Sequence, residues 1–335
     1  NFAHTLQEVI GNTQVRTVVT TEVGDLLPPL KRLLTNAVVK HAKKMVPAWR
    51  LPESVGWRNA LAAGRAQQLD AVPLGHDDLA FLQYTGGTTG VAKGAQLSHG
   101  NMVANVLQVG AWMSPNLNEG RETLILPLPM YHVFALTGAL SFFSQGAQAV
   151  LIANPRDMRD FLKVLASMPF TAIIGVNTLF RAMLDAPGFA AIDLRPLKLA
   201  VAGGMAVQQV VAHRWKERAG VPLVEGYGLT ETSPVAIANP VTIQEWSGQI
   251  GVPVPSTEAA VLDDDGGPIP LGEVGEICLR GPQVMKGYWN QPQESAKVFT
   301  PNGWLRTGDM GVMDEHGSIR ITDRKKDMIV VSGFK

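Results

Sequence analysis

Between residues 79 and 224, short apolar or β-branched runs alternate with longer stretches whose apolar positions recur at helical spacing. The runs 79–84, 123–126, 149–152, 172–174, 197–201 and 222–224 predict strands, and 99–113, 133–145, 158–167, 178–185 and 207–219 predict helices. Alternation at this spacing predicts βαβ units and a parallel sheet covered by helices on both faces. In such sheets, ligands gather beyond the carboxyl ends of the strands. After Gly228 the pattern changes. Residues 250–323 are rich in Gly, Pro and Asp, with short β runs at 259–262, 275–280 and 318–322. They predict a smaller β-rich subdomain, and Asp264-Asp265-Gly266-Gly267 reads as a turn. Residues 1–78 are less regular, with a strand expected at 15–20 and a helix at 26–41. The fold class expected is α/β, a parallel sheet layered with helices plus the β-rich subdomain.

Composition narrows the function classes. A chain of 335 residues suits two or three packed lobes. Its 29 basic and 29 acidic residues cancel, which argues against a nucleic-acid-binding surface. Charged residues make up only 17%, as expected with much buried surface or an apolar ligand tunnel. Cys278 stands alone, so no disulfide framework or thiolate metal site is expected, and a reducing cytoplasm is the simplest compartment. No apolar run reaches the ~20 residues of a membrane span. The sequence opens on Asn1 and stops at Gly333-Phe334-Lys335, just past an apolar run, so it reads as an internal piece of a longer protein.

The most informative stretch is Tyr84-Thr85-Gly86-Gly87-Thr88-Thr89-Gly90-Val91-Ala92-Lys93-Gly94, which follows the first strand-like run. Glycines let such a loop turn tightly and point backbone N–H groups into one concavity. Thr85, Thr88 and Thr89 add hydroxyls, and Lys93 adds a cation. That combination suits a polyphosphate. It is not the common nucleotide P-loop, since Ala92 and Gly94 stand where that motif needs glycine and Ser/Thr. The stretch resembles the phosphate loop of the adenylate-forming superfamily, which comprises acyl-CoA synthetases, peptide-synthetase adenylation domains and luciferases.

Further stretches match that superfamily in order. In Pro129-Met130-Tyr131-His132-Val133 the resemblance places the aromatic–His pair, with Val133, beside the acyl carboxylate; read alone, a His at a helix start is more often a cap. Val201-Ala202-Gly203-Gly204-Met205 ends a strand on two glycines, and the resemblance sets adenine and the acyl group there. In Glu225-Gly226-Tyr227-Gly228-Leu229-Thr230-Glu231-Thr232, Tyr227 offers a face for adenine with room from Gly226 and Gly228. Thr230 is a phosphate-facing hydroxyl, and Glu231, with Thr88, is a hard oxygen ligand of the kind Mg²⁺ prefers. Gly303-Trp304-Leu305-Arg306-Thr307-Gly308-Asp309 resembles a ribose-binding turn with Asp309 on the ribose hydroxyls. Asp323-Arg324-Lys325-Lys326-Asp327 resembles the family's hinge, with Arg324 near the ribose or α-phosphate and Lys326 as pivot. Gly333 falls in the loop that approaches the thiol-bearing arm of coenzyme A.

The resemblance implies two steps. A carboxylate attacks the α-phosphorus of ATP and releases pyrophosphate, with Lys93, His132, Thr230 and Glu231 in the catalytic set; the acyl-adenylate then passes to the thiol of coenzyme A. ATP, Mg²⁺ and coenzyme A are the implied cofactors and a fatty acid the implied substrate. The finer resemblance is to bacterial long-chain fatty-acid–CoA ligases, carried by 302–309, Gly311-Val312-Met313-Asp314 and 323–333. One departure is Leu136, where some long-chain members carry a gating tryptophan. The family's lid lysine lies beyond the C-terminal residue, so the piece as given is expected to adenylate poorly. The implied organisation is part of an N-terminal α/β subdomain (1–78), an α/β subdomain with the phosphate loop (79–228), a β-rich subdomain (229–323), and a hinge opening a lid (324–335). Peripheral attachment to the inner face of the cell membrane and a homodimer are left open. Two rivals remain, an aryl-acid ligase or amino-acid adenylation domain and a non-catalytic acyl- or nucleotide-binding protein; a third, a P-loop NTPase, fails on Ala92 and Gly94 and would give ADP as product. The stretch Ile173-Ile174-Gly175-Val176-Asn177-Thr178-Leu179 has no acidic residue to pair a substrate ammonium, which favours an apolar-tailed acid.

Overall fold

The computed structural model describes residues 2–85 and 92–325. Gly86, Gly87, Thr88, Thr89, Gly90, Lys326 and Gly333 lie outside the described residues. The chain divides into two units, Asn1–Pro73 and Leu74–Lys335.

The first unit holds helices α1 (Phe2–Val9), α2 (Pro29–Ala37) and α3 (Trp57–Gly64), and the short parallel pair β1 (Val19–Thr20) and β2 (Val55–Gly56). The strand expected over 15–20 is thus reduced to two residues. The helix expected from residue 26 starts only at Pro29, because the Pro28-Pro29 pair suits a helix start and not an interior. It continues into a π-helical turn, Val38–Ala42. Asn36 Oδ1 accepts from Gly24 N at 2.8 Å and its Nδ2 donates to Glu22 Oε2 at 2.7 Å, tying α2 to the preceding loop.

The second unit begins with β3 (Leu79–Thr85) and β4 (Lys93–Ser98), then α4 (His99–Met113). The first of these corrects an expectation: β3 does not join a parallel sheet. It pairs antiparallel with β4, in a register that sets Thr85 opposite Lys93. The phosphate-loop stretch therefore connects a hairpin and not a βα unit. Alternation in strand 93–98 is masked because Gly94 and Ala95 are small, and Gly94 is small for a reason. A Cβ there would sit 3.2 Å from the ring of Tyr84.

Next come β5 (Thr123–Leu126), α5 (Val133–Ser144), β6 (Gln148–Leu151), α6 (Met158–Ser167), β7 (Ala172–Gly175), α7 (Asn177–Asp185), β8 (Leu199–Gly203), α8 (Gln209–Ala219) and β9 (Leu223–Gly228). These match the predicted elements to within a few residues. Strands β6, β5, β7, β8 and β9 form a parallel sheet in the order β9-β8-β7-β5-β6. Strands β10 (Val235–Ala238) and β11 (Val252–Pro253) extend it antiparallel beyond β9. Both faces are covered, so successive residues of one strand enter different cores. Ile125, Ile173 and Ala200 pack with Phe161, Phe180 and Trp215. Leu124, Leu126, Ala172, Ile174 and Leu199 pack with Met113 and Phe142. Trp215 is fully buried, its ring meeting Phe180 edge-on at 4.7 Å.

The β-rich part is a four-stranded antiparallel sheet of β12 (Glu258–Leu262), β13 (Gly275–Arg280), β14 (Leu305–Met313) and β15 (Ile319–Arg324), with the short helix α9 (Pro292–Val298) before β14. Its Ile277, Leu279 and Ile319 pack on Ala236 and Ile237 of β10. No helix among the described residues is long and apolar enough to cross a membrane.

Helix α4 joins the two sheets through polar groups. Ser98 and Asn101 form a reciprocal capping box at its start. Asn101, Asn105 and Gln108 are spaced along one buried stripe. Asn105 accepts from Val235 N at 3.1 Å and donates to Val235 O at 2.7 Å. Gln108 Nε2 reaches Pro255 O at 2.7 Å, and Asn101 Nδ2 reaches Pro282 O at 2.7 Å and Val284 O at 2.9 Å. Asn105→Leu keeps the branched shape but strands the Val235 N–H and leaves its C=O only the longer donation from Gln283 Nε2 at 3.4 Å, and is expected to cost about 2–4 kcal/mol. Urea unfolding should show this as a lowered midpoint, whereas Leu107→Ala on the exposed face of α4 should change stability by less than about 0.5 kcal/mol.

Candidate active site

A cleft of about 870 Å³ opens where the ends of β8 and β9, the start of α5 and the 230–231 turn meet the edge of the β-rich sheet. It is lined by Thr85, His132, Val133, Gly203, Gly204, Gly226, Tyr227, Gly228, Thr230, Glu231, Asp309 and Arg324. Twelve positions singled out from motifs scattered over some 240 residues thus share one hollow. A larger and more open groove of about 1530 Å³ lies elsewhere on the unit and holds none of these residues.

The polar rim is held in paired contacts. Asp309, 7% exposed, takes the Tyr227 hydroxyl on Oδ2 at 2.6 Å and faces Arg324 Nε from Oδ1 at 3.3 Å. The pairing of β14 with β15 sets Asp309 opposite Arg324. Burial, then the Asp309 carboxylate, push the Tyr227 phenol well above its ordinary value, so it stays a donor. The segment around Asp309 is not a turn, as expected from its motif, but lies within nine-residue β14; its two glycines, Gly308 and Gly311, hide the alternation.

Glu231 sits in a 3₁₀ turn, Thr230–Thr232. Its Oε1 accepts from the Tyr288 hydroxyl at 2.6 Å, and its backbone carbonyl from Met285 N at 2.8 Å. Burial and the Glu231 carboxylate raise the Tyr288 phenol, keeping it protonated. Lys93 Nζ lies 5.2 Å from the centre of the same Tyr288 ring and 2.6 Å from Glu294 Oε2. Tyr288 therefore joins the lysine of the hairpin to the carboxylate of the turn. Neither Tyr288 nor Glu294 was legible as a site residue, since Gly287-Tyr288-Trp289 looks like ordinary apolar packing.

The motif histidine is both a cap and a cleft residue. His132 is the N-cap of α5, its Nδ1 accepting from Phe134 N at 3.2 Å. Burial lowers its pKa, so the ring is neutral and, with Nδ1 as acceptor, carries its proton on Nε2. Tyr131 is not brought into the cleft. It is 80% exposed and lines the larger groove instead, because the chain turns into the helix at His132. Val133 is buried with Ala95, Leu97 and Tyr288, fixing α5 against the hairpin.

The glycines have distinct reasons. A Cβ on Gly203 would lie 3.1 Å from both Gly226 O and the Phe134 ring, and Gly204 has φ +75°. Gly228 is required by the chain itself: a Cβ would fall 1.7 Å from Pro234 O, so its smallness serves the β9–β10 pairing and not a ligand. A Cβ on Gly226 would meet nothing nearer than Val201 Cγ1 at 4.0 Å, so no protein atom crowds that position.

The cleft is also lined by apolar Trp112, Met113, Phe142, Ile174, Val224 and Val241. Glu225 stands beside it, buried, with Oε1 accepting from Val207 N at 3.2 Å. Burial pushes its carboxyl up to about 7. Cys278 is fully buried and its thiol is pushed up to about 12 by burial, which leaves it inert at neutral pH. Among the described residues no group of three or more His, Cys, Asp or Glu could hold a metal ion by itself. The folded-state value of Glu225 lies above its unfolded value of 4.5, so its stabilisation is complete below that pH and lost as pH rises through about 7. Wild type should lose on the order of 3 kcal/mol across that window, and Glu225→Gln should lose the slope; urea unfolding at pH 5 and pH 8 measures both.

Residues 2–289 match the family model described as AMP-binding enzyme. The chain is 53% identical over 335 residues to a long-chain-fatty-acid–CoA ligase of Escherichia coli O157:H7, covering 100% of this chain and 60% of that protein. A long-chain-fatty-acid–CoA ligase of Bacillus subtilis (strain 168) is 41% identical over 258 residues, 77% of this chain and 46% of its own length. The ATP-bound crystal structure of MatB from Rhodopseudomonas palustris superposes with a TM-score of 0.75 at 28% identity, over 98% of this chain and 63% of MatB. The chain thus spans about 60% of the length of the E. coli relative. With the family model covering most of its length and the motif residues gathered in one cleft, the chain belongs to the AMP-binding enzyme family.

Proposed function

We propose that the protein carrying this chain is an AMP-forming acid–thiol ligase. It activates a long-chain fatty acid with ATP, releases pyrophosphate, and passes the acyl group to coenzyme A. The observation that carries this reading is the lining of one cleft, in which polar Thr85, Thr230, Glu231, Asp309 and Arg324 share walls with apolar residues of α4, α5 and the sheet. Such a lining suits a nucleotide together with an alkyl tail. The names of the relatives support the same chemistry.

The residues divide the work. Asp309, held by Tyr227 and Arg324, presents a carboxylate to vicinal hydroxyls of a ribose. Gly226 leaves space beside Tyr227 for a flat base. The neutral His132 offers its Nε2–H in the same lining, where it can orient an acyl carboxylate. An oxygen of that carboxylate attacks the α-phosphorus, the bond from the α-phosphorus to the bridging oxygen breaks, and pyrophosphate leaves with the electron pair. Lys93 and the Thr230 hydroxyl stabilise the growing negative charge. A single carboxylate ligand fits Mg²⁺, which keeps waters and phosphate oxygens as its other ligands; Glu231 would hold the ion, which would neutralise phosphate charge. Thr88 as a second metal ligand and Gly333 near coenzyme A belong to the proposal on sequence grounds. So do a hinge at Lys326 and the subdomain limits at 78, 228 and 323. A cytoplasmic location is supported by the single, buried cysteine.

An amino-acid substrate is disfavoured by Asn177, which is buried and spends its Oδ1 on Gln208 N at 3.0 Å. Substrate-dependent exchange of labelled pyrophosphate into ATP should be highest with long-chain fatty acids and low with aryl or amino acids; a reversed order would refute the substrate class. AMP should be the nucleotide product, and ADP would refute the reaction type. In the same assay Lys93→Ala and Glu231→Gln should each slow exchange by about two orders of magnitude or more while the protein stays folded. Asp309→Ala should mainly raise KM for ATP.

A further inference from the structure

Lys93, the cation on which phosphate binding relies, is already engaged. Its Nζ lies 2.6 Å from Glu294 Oε2, with the two side chains 32% and 29% exposed. Lys297 holds the other oxygen, Oε1. These partners lie about 200 residues apart, and backbone contacts bring them together. Gln96 N donates to Gly287 O at 2.9 Å and Trp289 N to Gly94 O at 2.8 Å, so residues 287–289 run alongside β4. Ser295 Oγ accepts from Tyr288 N at 2.8 Å and donates to Gln291 O at 2.9 Å, which seats the first turn of α9 and with it Glu294. The two lysines hold the Glu294 carboxyl down to about 2, so it is ionised at any physiological pH.

A polyphosphate that reaches Lys93 must therefore take it from Glu294. We infer that Glu294 is a positioning residue that occupies the Lys93 ammonium between turnovers and competes with phosphate oxygens for it, setting the affinity for ATP and for departing pyrophosphate. This rests on the proposed function and deepens it. A partly exposed ion pair is weak enough to be exchanged in each cycle, so the effect on affinity is modest, about three- to fivefold. Orientation is the other consequence. With Glu294 on one side and the Tyr288 ring on another, the ammonium waits beside the group that also holds Glu231. When phosphate leaves, the carboxylate draws the lysine back and shortens the stay of pyrophosphate.

Calorimetric titration of the full chain with inorganic pyrophosphate and with Mg-ATP, at two salt concentrations, tests this. Glu294→Gln should bind pyrophosphate about three- to fivefold more tightly and lose affinity more steeply with salt, since Lys93 then presents uncompensated charge. Lys297→Gln frees the other oxygen of Glu294 but leaves Lys93 paired, and should not tighten binding. In a Lys93→Ala background the substitution at Glu294 should have almost no effect. Unchanged or weaker binding by Glu294→Gln overturns the inference. Equal tightening by Lys297→Gln, or a gain that survives Lys93→Ala, does so as well. A wild-type protein that binds neither ATP nor pyrophosphate would strike down the functional reading itself, and this inference with it.

Discussion

The contact on which most of this architecture depends is the pair of hydrogen bonds between the Asn105 side chain and the backbone of Val235. Strand β10 is where the parallel sheet changes direction, and its outer neighbours are the short β11 and the β-rich sheet. A buried amide that satisfies both polar groups of one β10 residue holds that strand against α4 where no side-chain packing could supply direction. Ser233 and Gln283 continue the network, with Ser233 Oγ on Gln283 O at 2.8 Å and Thr137 Oγ1 on Ser233 O at 2.7 Å. The turn that carries Thr230 and Glu231 lies between β9 and β10, so its placement follows from these bonds.

Around the cleft, charge is never left alone. Asp309 is bonded by Tyr227 and faces Arg324, Glu231 is bonded by Tyr288, and Lys93 is paired with Glu294. Neutral phenols serve the two carboxylates, and burial keeps those phenols protonated. Carboxylates held by hydroxyl donors lose rotational freedom. They are therefore fixed in orientation by the fold itself, the kind of preorganisation that lowers reorganisation in a reactive site.

The two ends of the cleft come from different structural logics. Strands β8 and β9 deliver Gly203 and Tyr227 at their carboxyl ends, as a parallel sheet does for most of its ligands. The hairpin β3–β4 and the strand β14 deliver Thr85 and Asp309 from antiparallel pieces whose register, not whose end, sets the side-chain position, while Lys93, opposite Thr85, stands outside the cleft lining. A change of one residue in the β14–β15 register would turn Asp309 to the opposite face and part it from Tyr227.

Local pattern carried the layered α/β core and the motif residues. Helices such as His99–Met113 and Met158–Ser167 follow from spacing alone, and the runs of β-branched residues in β5 and β7 could hardly be anything but buried strands. The glycine-rich loop, the Tyr227–Glu231 stretch and Asp309 pointed to a nucleotide chemistry through their resemblance, in order, to the motifs of one superfamily. What the chain order concealed was everything that depends on approach through space. Strand β4 was hidden by small residues, β14 by its glycines, and the reason for Gly228 lay in a carbonyl six residues away. Tyr288 and Glu294 carry no motif, and Tyr131 carries one without entering the cleft. Pattern reports the neighbours of a residue along the chain, whereas hydrogen-bond partners and counter-ions are chosen by packing between segments 57 residues apart, as for Glu231 and Tyr288, or 201, as for Lys93 and Glu294.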